Sequence, residues 1–263
     1  MENLIRDVTF MSEIIQTYSL QTPELLLIFL SALGIGMAKT GLGGLGFLAV
    51  PIMAGIFGAK ASTGIVLILL IFADFFGVWF YHRHADMKMI LRLSPSTVLG
   101  ILMGIVIGDR VSDAQFTLLL AAVLIVGAVA MGANLNQNMT IQSSPLLSLV
   151  TGTLAGLSTM IGNSAGPIMS IYFLAMGLDK NRFIGTGAWF FLLVNLFKLP
   201  FHIFVWRTID AGTFYFDLML IPAIALGAFT GVWLVRKIPE KPYKVIIVIS
   251  VLLGSLQMVL KNL

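Results

Sequence analysis

Apolar runs of about twenty residues recur along the whole chain, among them STGIVLILLIFADFFGVWFY (62–81) and YKVIIVISVLLGSLQMVL (243–260). A helix of roughly 20 apolar residues spans a hydrocarbon core about 30 Å thick. The 263 residues are 58% hydrophobic and 11% charged, where soluble domains carry about 25% charge. Such a chain cannot keep its apolar surface from water without lipid, so an all-α polytopic membrane protein is predicted. Trp79, Trp189, Trp206 and Trp233 fall near segment ends, which suits the interfacial aromatic belt. With no cysteine, thiol and disulfide chemistry are excluded. The formal charge of +4 bears on topology rather than on nucleic acid, because basic loops orient spans.

One apolar stretch is interrupted by KTGLGGLG, Lys39 to Gly46. Gly41, Gly43 and Gly46 satisfy G-x-G-x-x-G, but the dinucleotide fingerprint needs a preceding strand and an acidic residue about 20 positions on. The neighbourhood of 61–66 reads ASTGIV, so that reading fails.

The chain is written twice. At an offset of 122 residues Thr22-Pro23 meets Ser144-Pro145, Gly34 meets Gly156 and Gly44 meets Gly166. With one further residue Thr63-Gly64 meets Thr186-Gly187, and Gly104 and Gly108 meet Gly227 and Gly231. A nearly constant offset points to internal duplication. It divides the chain into an N-terminal segment (1–22), a first repeat (23–142) and a second (143–263). Leu4, Val8, Met11, Ile15 and Tyr18 recur in the N-terminal segment at the spacing of a short interfacial helix, a frayed terminus being the plain alternative. That segment shows no secretory signal, since Glu2, Asp7 and Glu13 interrupt it.

In each half a Thr/Ser-Pro pair opens a helix, with the polar residue as N-cap. The helix runs to about Ala38 or Met160, a polar break follows (39–46 or 161–166), and a short apolar piece comes next (47–57 or 167–177). Three longer segments complete each half: 60–81, 88–108 and 114–131, then 183–205, 211–234 and 243–260. Eleven helical residues rise only about 17 Å, too little to cross. Each break therefore predicts a re-entrant helical hairpin followed by three transmembrane helices. Three crossings per half invert the second repeat. The loops 82–95, 178–182 and 235–244 then share a face with nine Lys/Arg against five opposite, and the positive-inside rule makes that face cytoplasmic. A multi-pass protein of a bacterial cytoplasmic (inner) membrane is expected.

Irregular backbone survives at membrane depth only inside protein or beside a watery cavity. Helix starts near Phe47 and Pro167 would present free N–H groups and partial positive charge there, and Gly43 and Gly44 would let an anion approach. Lys39 adds a full charge, while Thr40, Ser158, Thr159, Asn163 and Ser164 add polar donors. Paired glycines such as Gly104/Gly108 and Gly227/Gly231 read as helix packing. Ionisable residues inside spans are functional candidates. Lys198, with Asn195 one turn earlier, reads as a further anion ligand. Asp74 and His202 are candidate carriers of a coupling proton; the alternatives are a static partner for a lysine and a hydrogen-bonded structural histidine. Asp217, near one end of its span, reads as interfacial. His82 and His84 alone are too few to hold a metal, and no cofactor is implied.

The segment GIGMAKTGLGGLGFLAVPIMAGIFGAKASTG (34–64) resembles the signature of the sulfite exporter TauE/SafE family. AGLSTMIGNSAGPIMSIYFLAMGLDKNRFIGTGAWFFLLVNLFKLP (155–200) is similar to that family's second half, including the Asn195-x-x-Lys198 spacing. The resemblance covers 23 to 263 and implies secondary transport, without ATP, of sulfite, sulfonates or other organosulfur anions. Its second tip, MIGNSAG, departs from the glycine-rich form. The expected partners are a small anionic substrate, a coupling proton or sodium ion, and the lipid bilayer. A homodimer is an admissible assembly, and nucleic acid is not expected. Rival readings are an anion channel, an intramembrane enzyme and a scaffold subunit. An enzyme would need a nucleophile with a base or clustered metal ligands, and neither G-x-S-x-G nor H-E-x-x-H occurs.

Overall fold

The computed structural model describes residues 14, 16–43, 46–107 and 144–260. The regular elements among them are helical: α1 (Thr22–Lys39), α2 (Gly46–Phe57), α3 (Ala59–Tyr81), a 3-10 turn (His82–His84), α4 (Met87–Ile107), α5 (Pro145–Gly162), α6 (Ala165–Ala175), α7 (Lys180–Phe204), α8 (Ala211–Lys237) and α9 (Glu240–Leu260). The span expected at 114–131, together with Gly44, Gly108 and most of the N-terminal segment, lies outside the described residues.

Among the described residues six helices are long and apolar enough to cross a membrane: α1, α3, α4, α5, α7 and α8. Their outward residues, Leu26, Leu91, Val106, Leu146, Phe204 and Leu226 among them, are exposed. Water would not tolerate so much apolar surface, but lipid covers it at no cost. The chain is an integral, multi-pass membrane protein.

The chain starts its helices with local signals. Ser144 caps α5, its hydroxyl accepting from Leu147 N at 3.0 Å, with Pro145 in the first turn. At α1 the cap falls one residue earlier than the Thr-Pro pattern predicts. Gln21 is the N-cap, and the Glu24 carboxylate accepts from Gln21 N at 3.1 Å. This contact satisfies one of the free backbone donors at the helix start, and Thr22 becomes the first helical residue. Each hairpin pairs a long helix with a short one. α2 and α6 have 12 and 11 residues, a rise of about 17–18 Å. At 18 residues, α1 and α5 rise about 27 Å, long enough by length and composition to count among the candidate spans.

Packing exchanges elements between the halves. α1 lies along α8, α5 lies along α4, and α3 packs against α7. Small residues make the first two contacts close. A Cβ at Gly36 would overlap the Ile224 carbonyl, at Gly227 that of Leu33, and at Gly231 the Thr40 hydroxyl. At the other interface a Cβ on Gly100 would overlap the Thr153 carbonyl, and one on Gly156 that of Thr97. Backbones approach this closely only where side chains are absent, which explains Gly104, Gly227 and Gly231 as packing residues. Hydroxyls cross both seams: Thr40 Oγ1 donates to Ala228 O, and Ser96 Oγ to Ser148 O, both at 3.0 Å.

Three apolar cores form among the described residues: Leu67, Ile68 and Ile71 of α3 pack with Leu192 and Ile209, and each of the other two includes a short helix. Ala49, Met53 and Phe57 of α2 pack with Ile28, Ile35, Ile65, Leu69 and Phe216. Ile168, Met169, Tyr172 and Phe173 of α6 pack with Leu93, Ala155, Phe190 and Tyr243. The end of the N-terminal segment joins the α2 core: Ile14 and Leu20 are buried there, and Tyr18 meets Phe57 edge-on at 4.9 Å.

Candidate functional site

At the first tip α1 ends in a Schellman motif. Gly41 takes a positive φ of 134°, Gly41 N donates to Ala38 O at 3.3 Å, and Leu42 N donates to Met37 O at 3.0 Å. Gly41 is therefore a helix terminator. Gly77 of α3 completes the approach, because a Cβ there would press on the Lys39 carbonyl. With the end of α1 held against α3, the Lys39 ammonium reaches Asp74, one turn before Gly77, at 2.8 Å. It also lies 4.0 Å from the centroid of the Phe191 ring. The other Asp74 oxygen accepts from Asn195 Nδ2 at 2.7 Å. Asp74 and Asn195 are buried, whereas the Lys39 side chain retains 14% exposure.

The second tip is built differently. Asn163 adopts the left-handed conformation, φ 53° and ψ 28°, and its N–H returns to Thr159 O at 3.0 Å. Asparagine is among the few residues that take this geometry readily. Its side chain then bridges two helices: Asn163 Nδ2 donates to Thr63 O of α3 at 3.0 Å, and Asn163 Oδ1 accepts from Lys198 Nζ of α7 at 2.7 Å. Lys198 also donates to Thr159 O at 2.8 Å and to Thr159 Oγ1 at 2.9 Å. A fully buried ammonium thus uses all three N–H groups on uncharged oxygens.

Asn195 and Lys198 stand one turn apart on α7, so the two clusters adjoin. Lys198 is within electrostatic reach of both Lys39 and Asp74. The carboxylate pairs with the tip lysine rather than with Lys198, its near-counterpart by repeat offset. Phe191 and the Thr63 carbonyl escaped the sequence reading. A helical signal for Phe191 exists, since 191, 195, 198 and 202 follow the spacing of one helix face.

The remaining predicted residues are placed as follows. The Thr40 hydroxyl points away from the ion pair and is spent on carbonyls of Gly36, Met37 and Ala228. Ser164 donates to Gly162 O at 2.8 Å within its own turn. Ser158 is buried beside the tip, with no partner for its hydroxyl among the described residues. Among the described residues a Cβ on Gly43 would meet the end of Ile247, at 3.9 Å. Buried His202 shares a 2.8 Å bond from Nδ1 to Thr208 Oγ1, in the turn that ends α7. Asp217 differs from expectation: it is wholly buried, with neither oxygen bonded among the described residues. The α2 core, including neighbouring Phe216, covers the start of α8.

The profile of one protein family, described as "Sulfite exporter TauE/SafE", matches residues 28–258, nearly the whole chain and both tips. The chain belongs to the TauE/SafE family. Membership makes it a membrane transport protein of a family associated with sulfur anions. No curated protein and no solved structure matches it. The TauE/SafE match includes the Lys39–Asp74 pair and the Asn195–Lys198 turn, which lie in its opposite halves.

Proposed function

We propose that the chain is a secondary transporter of a small sulfur-containing anion, such as sulfite, a sulfonate or another organosulfur compound. Alternating access would operate between two inverted repeats, 23–142 and 143–263, in a bacterial inner membrane. The observation that carries this reading is a pair of ammonium groups, the fully buried Lys198 and the largely enclosed Lys39, beside the tips of both hairpins, where among the described residues one carboxylate, Asp74, opposes them. Buried charge at membrane depth is costly and marks a substrate path. Ser158 Oγ and Asn195 Oδ1, buried without partners among the described residues, give a bound molecule or water further polar contacts. Support for the two-fold arrangement comes from the exchange of α1 onto α8 and α5 onto α4, with α3 on α7 between them.

Lys39, Ser158, Asn163 and Asn195 would line the anion site, Gly43 would let it approach the first tip, and Lys198 would hold the second tip in place. The contact with Lys39 favours a static role for Asp74, and the bond to Thr208 favours a structural role for His202. Reconstituted protein should take up labelled sulfite or a sulfonate at a saturable rate. Lys39→Ala and Lys198→Ala should insert in the membrane yet lose that uptake. Wild-type rates in both variants would remove the basis of the proposal, and flux far above transporter turnover in planar bilayers would favour a channel.

A further inference from the structure

The charges at the tips also bear on which anions are admitted. We infer that Asp74 sets the charge of the ligand, so that the site takes a monoanion, such as a sulfonate or hydrogen sulfite, and discriminates against a dianion. This deepens the transporter reading and rests on it.

Each Asp74 oxygen faces a donor: Oδ1 the Lys39 ammonium at 2.8 Å, Oδ2 the Asn195 amide at 2.7 Å. Two donors, one of them an ammonium, arranged in this way suit the ionised, acceptor-only form of the carboxyl group. Lys198 meets only uncharged acceptors, the Thr159 carbonyl and hydroxyl and the Asn163 side-chain amide oxygen Oδ1. With every N–H committed, it supplies field rather than contact. Lys39 makes one ion pair and one ring contact, keeps donors unused among the described residues, and is the ionisable group of the three with residual exposure. An arriving anion would therefore touch Lys39 and share it with Asp74. Among the described residues, two ammonium charges and one carboxylate leave a formal +1 at the tips. A single negative charge cancels that excess; a second would face Asp74 in a medium where like charges repel strongly.

Methanesulfonate and sulfate form a suitable probe pair, since both are tetrahedral oxyanions of similar size but differ by one charge. Titration calorimetry on the purified full-length protein should show methanesulfonate binding at least about tenfold tighter than sulfate, a modest ratio for one mismatched buried charge. Asp74→Asn raises the formal charge to +2 and should shift the ratio towards sulfate by a similar factor. The double variant Lys39→Gln/Asp74→Asn returns it to +1 and should again prefer methanesulfonate, with weaker binding. It also serves as the test if Asp74→Asn alone does not stay folded. Sulfate preferred by the wild type or by the double variant, or an Asp74→Asn ratio equal to the wild type's, would overturn the inference and leave the transporter reading intact. Failure of the wild type to bind methanesulfonate, 2-hydroxyethanesulfonate or sulfate would overturn both.

Discussion

The residues that end the two long helices, Gly41 and Asn163, lie 122 residues apart, the offset at which the sequence matches itself, yet each tip ends its helix and carries its charge in a different way. At the first, glycine terminates α1 and the tip itself supplies the cation, Lys39, to a carboxylate on α3. At the second, asparagine terminates α5 and the tip offers the cation uncharged oxygens, which receive Lys198 from α7. A glycine cap frees the backbone but has no side chain to bind with, so the first tip needs a neighbouring lysine. An asparagine cap accepts the same left-handed turn and also bridges α3 and α7. Positions matched in the sequence can thus be held by opposite divisions of labour between tip and span.

The sharpest way to break this comparison is Lys39→Ala. It leaves Asp74 buried without its ion-pair partner, held by the Asn195 hydrogen bond and the more remote Lys198 charge, and stability should fall by about 3–5 kcal/mol, read by thermal unfolding in detergent. Adding Asp74→Asn should recover most of that loss without restoring transport. Equal stability of the single and double variants would show that the ion pair does not hold the first tip.

Next in size is the second cap. Asn163→Gly keeps the left-handed turn and loses the bridges to Thr63 and Lys198, at about 1–3 kcal/mol. Asn163→Ala should be roughly 1 kcal/mol worse, because it adds backbone strain. If the two variants unfold alike, the turn is not what makes asparagine matter.

At the first tip, Gly41→Ala introduces a side chain at a positive φ and against Val235 and Ile184. A loss of about 1–3 kcal/mol is expected, with the affinity for methanesulfonate within about twofold of wild type, since Gly41 ends the helix without meeting the ligand. The smallest effect should come from Arg182→Ala, which removes a 2.7 Å ion pair to Asp86 whose arginine is half exposed. Less than about 1 kcal/mol is expected. A larger loss would mean that the solvent-side contact between the halves rivals the tips in holding them together.

Much of the helical layout was legible in the sequence. The short pieces expected at 47–57 and 167–177 are found as Gly46–Phe57 and Ala165–Ala175, and the span expected at 211–234 is Ala211–Lys237. Helix ends depend on caps and apolar length, which are local properties. The site was legible only as candidates. Asp74 and Lys198 stood out because charge is rare in spans, but nothing local specifies that Asp74 would pair with Lys39, 35 residues earlier. Thr40 shows the converse: its neighbours Lys39 and Gly41 make it look like a tip donor, while its rotation about α1 turns it to α8.

The sequence by itself determined that this chain is a bundle of apolar helices with two polar interruptions, because hydrophobic length and cap residues act within a few positions of where they are written. Only the tertiary structure decided the partners: Lys39 with Asp74, Lys198 with Thr159 and Asn163, and Asp217 enclosed rather than at the surface. A charge buried in a membrane protein must be answered by whatever lies within about 3 Å of it, and those neighbours come from segments far apart along the chain.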